Sequence, residues 1–345
     1  MAHPPLAPDH VDAPHQSAAL GDVVLESGAA ITDYQQSYVT HGVLDADRSN
    51  AILVCAALTA THHRLDFLIG EGKALDPARD FIIAVDPIGN GLSTSPSNSA
   101  TQPRMSFPRF VLRDMIHAQH RLLREHLGID RVRAVVGASM GGMQALQWAV
   151  SHPRFMDRVV AMTPMAKTAP WAVLVTETAR ACLTADPAWT GHGFSEPPLR
   201  GWRAYAGLMN ALVMRTPAAV AEIVSGLDVH AWFEDIVAKQ RSNGFDAHDY
   251  LYQSWAYEAH DVGRTAGFAG DTAAALASIS ARTLLLAPPL DLFNPAEAAR
   301  EAAAHIPRSR LIEIPSMFGH QAATSTSPAD AGFLNRCIGD FLREE

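Results

Sequence analysis

The chain has few cysteines. Cys55, Cys182 and Cys337 are the only three in 345 residues, far apart and with no Cys-x-x-Cys pair. A disulfide framework and a cysteine-based metal site are therefore not expected. No apolar run approaches the ~18 uninterrupted residues of a membrane span. No Lys/Arg cluster appears either, and the formal charge is −9. An acidic chain of this kind is a poor match for nucleic acid or an anionic membrane surface. The first residues have neither a basic segment nor an apolar core, so a secretory signal is not expected and a cytoplasmic protein is.

What is present is a large apolar fraction, 48%, against only 18% charged residues, enough for a sizeable core. Residues 1–20 hold four prolines and little apolar periodicity, and read as a mobile arm. Beyond them, short continuous apolar runs at 51–58, 81–85, 132–136, 159–162, 283–286 and 311–314 suit strands buried on both faces. Helical patterns fall between them, at 110–127, 141–152 and 295–304. That alternation predicts an α/β architecture: a mostly parallel, doubly wound sheet. Residues 165–270 break the rhythm. They are helix-like and hold Trp171, Trp189, Trp202, Trp232 and Trp255. They read as a helical cap inserted into a core made of 21–164 and 271–345, with the tryptophans packing cap against core.

The sharpest motif is Gly137-Ala-Ser139-Met-Gly141, after a predicted strand and before a predicted helix. A serine hydroxyl is a weak nucleophile and must project from a tight turn toward a base. Small neighbours let strand and helix approach closely. The N–H after the serine, on Met140, then faces the developing oxyanion at a helix N-terminus. A base and an orienting acid should follow in the order serine, acid, histidine. Asp291 lies just past the 283–286 run and His320 past 311–314. Asp271 and His305 are the nearby competitors. The second oxyanion donor belongs to the loop after the first long strand, and the Leu58 N–H is the choice, with Thr59 as the fallback. His62 and His63 follow at once and read as a solvated loop without metal spacing. The glycines of 86–93 lack the pattern of a nucleotide-binding loop and suggest a structural crossover. No cofactor motif and no metal site is expected.

Four segments together, IGEGKALD (69–76), RDMIHAQ (113–119), VVGASMGGMQALQWA (135–149) and AHDVGR (259–264), resemble the homoserine O-acetyltransferase family of α/β-hydrolases. The resemblance runs from about residue 20 to the C-terminus. It implies an α/β-hydrolase fold, a triad of Ser139, Asp291 and His320, and oxyanion donors on Leu58 and Met140. It also implies an acyl-enzyme formed from acetyl-CoA or a related thioester, the acyl group then passing to homoserine, with homodimers through the cap common in the family. Two positions depart from it. Gln321 follows the histidine where the family typically has Asp, and no Arg precedes Phe245. A homoserine site must compensate both a carboxylate and an ammonium. The expectation is therefore an esterase-type hydrolase with water as acceptor, the alternative being acyl transfer to homoserine or another hydroxyl.

Overall fold

A computed structural model describes residues 6–7 and 10–344. Its centre is an eight-stranded sheet: β1 (Gln16–Val24), β2 (Ala30–His41), β3 (Ala51–Cys55), β4 (Phe81–Val85), β5 (Val132–Ala138), β6 (Met156–Met162), β7 (Arg282–Ala287) and β8 (Ser309–Glu313). The spatial order is β1-β2-β4-β3-β5-β6-β7-β8. β2 pairs antiparallel with both neighbours, and every pairing from β4 to β8 is parallel. The six strands expected from continuous apolar runs are all present. β3 is buried at every position, and so are the last six residues of the β5 run apart from Arg133. Such strands are covered on both faces by helices, which is why the runs do not alternate.

β1 and β2 are the strands the sequence did not announce. Gln16–Val24 contradicts the mobile-arm reading for residues 16–20, which pair with β2. Of the remaining arm, residues 1–5, 8 and 9 lie outside the described residues. β1 is an edge strand with one solvated face and an irregular register around Gly21, so its exposed Ser17, Gly21 and Asp22 hide a strand among turn-like residues.

The helices α1 (Leu112–Arg121), α2 (Met140–Ser151), α9 (Ala296–His305) and α10 (Pro328–Arg343) flank the sheet, with α8 (Thr272–Ala277) leading into β7. Between β6 and β7 the chain forms α3 (Pro170–Thr184), α4 (Leu199–Tyr205), α5 (Pro217–Ile223), α6 (Val229–Ser242) and α7 (Ala247–Glu258). Trp202 is buried there against Tyr205 and Tyr250. Trp171 departs from the packing expectation: it is 52% exposed, with its indole N–H donated to the Leu292 carbonyl. Cys55 is a buried core thiol, and burial pushes its pKa up. No helix among the described residues is long and apolar enough to cross a membrane.

Candidate active site

β5 runs straight into the Ser139 turn, and α2 starts at the next residue. Ser139 has φ 57° and ψ −124°, a strained conformation for a residue with a side chain. It is held there because the Ser139 N–H donates to the Met162 carbonyl, 2.9 Å away on β6. The flanking glycines are required by space. A Cβ at Gly137 would sit 2.0 Å from the Gly141 carbonyl oxygen, and one at Gly141 would sit 2.2 Å from that of Cys55. The expected role of small residues around the serine thus has a measurable basis.

Asp291 lies in the loop after β7. Its Oδ1 accepts from the N–H groups of Phe293 (2.8 Å) and Asn294 (2.9 Å), which fixes the carboxylate plane. Its Oδ2 is 2.7 Å from His320 Nδ1. His320 follows β8, on a short 3-10 turn entered through Gly319 at φ 61°. His320 Nε2 is 2.9 Å from Ser139 Oγ. All three side chains are buried. Phe293 packs edge-on against the imidazole at 5.2 Å, and Tyr257 stacks on Phe293. The phenol of Tyr257 donates to Asn294 Oδ1, and Asn294 Nδ2 donates to the Thr163 carbonyl at 2.7 Å. These bonds tie the acid loop to both β6 and α7.

The loop after β3 passes over the serine. Thr59, the fallback donor, has its N–H bonded to Gln253 Oε1 on α7 at 3.0 Å. The Leu58 N–H has no acceptor among the described residues. Met140, as the first residue of α2, carries an N–H that the helix cannot use internally. Leu58 and Ser139 border one cavity of about 70 Å³, with His320 and Phe293 also on its wall. Leu58, Thr59, Arg64, Asn210 and Met214 separate it from an outer cavity of about 450 Å³ and line both.

The competitors lie elsewhere. Asp271 is the N-cap of α8, accepting from the Ala274 N–H at 2.9 Å, and His305 is exposed at the end of α9. The solvated-loop expectation for His62 and His63 is corrected: both are buried. His62 Nδ1 is 2.9 Å from Asp86 Oδ2, and His63 Nδ1 is 2.6 Å from Asp66 Oδ2. The reason is tertiary. β4 lies beside β3, so Asp86 at its end reaches a loop 24 residues earlier. His15, His62 and Asp86 bring ligand-type atoms within 4.8 Å of one another, a grouping that chain spacing does not reveal. Both Asp86 oxygens already accept hydrogen bonds, from the His62 N–H, Asn90 Nδ2 and the Ser37 hydroxyl. The 86–93 segment is a buried polar knot, in keeping with the structural reading. Sequence reasoning missed Gln253, Asn294 and Arg64, since no motif marks them.

Residues 50–320 match the family described as the alpha/beta hydrolase fold. The chain belongs to that family. Within it, the chain is related to both esterases and homoserine O-acetyltransferases. It is 33% identical to an ethyl acetate hydrolase of Pseudomonas veronii over 95% of each chain. It is 30% identical to a homoserine O-acetyltransferase of Methanosalsum zhilinae, over 93% of this chain and 71% of that one. Among solved structures, an acetylester hydrolase from Corynebacterium glutamicum superposes with a TM-score of 0.90 at 32% identity, over 96% of both chains.

Proposed function

We propose that this protein is a serine esterase that hydrolyses short-chain carboxylic esters through an acyl-enzyme on Ser139. The observation that carries the reading is the continuous line from Ser139 Oγ to His320 to Asp291, at 2.9 Å and 2.7 Å. His320 takes the Ser139 proton as the hydroxyl attacks the ester carbonyl. Asp291 holds the imidazole orientation and stabilises the imidazolium. The N–H groups of Leu58 and Met140 stabilise the tetrahedral oxyanion, each worth about 3–4 kcal/mol to the barrier. His320 returns the proton to the departing alcohol, then draws one from water, which attacks the acyl-enzyme and frees Ser139.

The cavity beside Ser139 is small, about 70 Å³, against about 450 Å³ for the outer one. That suits an acetyl or similarly short acyl group. The relatives active on acetyl esters and ethyl acetate support the same substrate class. Residues 165–270 act in this reading as a cap over the site: Gln253 braces the Thr59 loop, and the Gln321 N–H donates to the Met214 carbonyl at 3.2 Å. The test is turnover of ethyl acetate by Ser139→Ala, with loss expected. Undiminished turnover overturns the proposal.

Acyl transfer is the second reading, favoured by the relationship to homoserine O-acetyltransferases and by the burial of Ser139 and His320 beneath α-helices. An acyl-enzyme kept from water can wait for an alcohol. Consumption of acetyl-CoA only when a hydroxyl acceptor is added selects transfer; consumption of esters without one selects hydrolysis.

A further inference from the structure

Arg64 stands on the wall shared by the two cavities, bordering Ser139 and His320 on one side and the outer space on the other. Its side chain makes no ion pair and no hydrogen bond among the described residues. This sets it apart from the paired arginines of the chain, such as Arg113 with Glu26, Arg133 with Asp80 and Arg180 with Glu258. Burial alone acts on its pKa, pulling it down to about 10, so the guanidinium stays charged at neutral pH. Asp66, which also lines the outer cavity, makes no ion pair with Arg64: its Oδ2 is engaged by His63 and the Val11 N–H, and its Oδ1 is buried without a hydrogen-bond partner among the described residues. Lys239, also there, is paired with Asp235 at 2.7 Å.

Arg64 is only partly exposed and makes no ion pair, which leaves its guanidinium fork, a match for a carboxylate, available to a ligand in the cavity. We infer that Arg64 is a specificity residue for a negatively charged substrate, whose alcohol half carries a carboxylate. The inference rests on the esterase reading for the reaction but not for the binding. The sizes of the two cavities decide which half bears the charge. The acyl group occupies the smaller cavity next to Ser139, about 70 Å³, and the charged half extends into the outer one, about 450 Å³, which Arg64 also lines. The leaving alcohol points past Arg64 into the outer cavity. The substrate class is thus a short-chain, chiefly acetyl, ester of a hydroxycarboxylic acid.

Two measurements test this. The first compares kcat/KM for 4-acetoxybutyrate, butyl acetate and monobutyl succinate. The wild type is expected to favour 4-acetoxybutyrate, and Arg64→Met to lower the 4-acetoxybutyrate to butyl acetate ratio at least about tenfold. Arg64→Lys, which keeps the charge, restores part of that ratio. Equal ratios in wild type and Arg64→Met, or a preference for monobutyl succinate, overturn the inference. The second measurement needs no turnover. Added 4-hydroxybutyrate should raise the melting temperature of the wild type and leave Arg64→Met unmoved, while 1-butanol moves neither. A missing shift in the wild type overturns the role of Arg64 even if esters are hydrolysed. A shift without any ester turnover upholds it and overturns the esterase reading alone.

Discussion

His320 Nε2 lies 2.9 Å from Ser139 Oγ although 181 positions separate the two in the chain. One residue closes the turn after a central strand, and the other ends the loop after the last strand of the same sheet. A contact of this kind makes the serine dependent on the imidazole. Ser139→Ala and His320→Ala should each lower kcat for a short-chain acetate at least ~10⁴-fold, and the double variant should lose little more. Steady-state kinetics of the two single variants and the double variant checks this; additive losses would contradict a joint role.

Asp291 accepts two backbone N–H bonds as well as facing His320. Asp291→Asn keeps the volume but offers an amide N–H where a carboxylate oxygen faced the ring. The expected loss is about 10⁴-fold in kcat, with KM little changed and the fold retained. Kinetics paired with a thermal melt separates this from unfolding.

Gly141 has no room for a methyl group, because a Cβ would lie 2.2 Å from the Cys55 carbonyl oxygen. Gly141→Ala should force α2 away from β3 and cost at least about 1–3 kcal/mol of stability. Chemical denaturation measures it, and the displaced Ser139 turn should lose activity together with stability.

Gln253 bridges α7 to the loop after β3, accepting from the Thr59 N–H at 3.0 Å and donating to the Ile88 carbonyl at 3.2 Å. Gln253→Leu leaves both backbone groups unsatisfied. It is expected to cost about 1–3 kcal/mol and to reduce kcat more than it raises KM, because the Leu58 donor rides on that loop. A KM effect alone would place Gln253 outside the oxyanion support.

Asp249 is buried on α7, with the Ser97 N–H 2.9 Å from Oδ1 and the Ser97 hydroxyl against Oδ2. Burial pushes its pKa up to about 8, from an ordinary value near 3.8. With the folded value raised, the favourable contribution is full below about pH 4 and is lost as pH rises through about 8. Asp249→Asn keeps the shape without the charge. It should match the wild type in acid and melt higher at pH 9 by about 2 °C or more. Melting curves taken from below pH 4 up to pH 9 check the crossover.

Much of the core could be read directly, because a strand covered on both faces needs an unbroken apolar run, and a serine elbow needs glycines where no side chain fits. The runs containing β3 to β8 and the segment around Ser139 carry those local demands in the residues themselves. β1 and β2 escaped, since an edge strand needs only one apolar face, and prolines before Gln16 resemble an arm. His62 and His63 were misjudged for a different reason. A pair of histidines after a strand looks the same in sequence whether water or a carboxylate meets them, and the Asp86 that meets His62 arrives through the β3–β4 pairing.

The sequence by itself determined the alternation of strands and helices and the tight turn at Ser139, because each depends on neighbours within a few residues. Only the tertiary structure decided that Asp291, His320 and Ser139 touch, that Gln253 braces the loop above them, and that Arg64 faces the cavity with no counter-charge. Those facts depend on which strands lie side by side and on how the helices between β6 and β7 pack against them, and distance along a chain does not encode distance across a sheet.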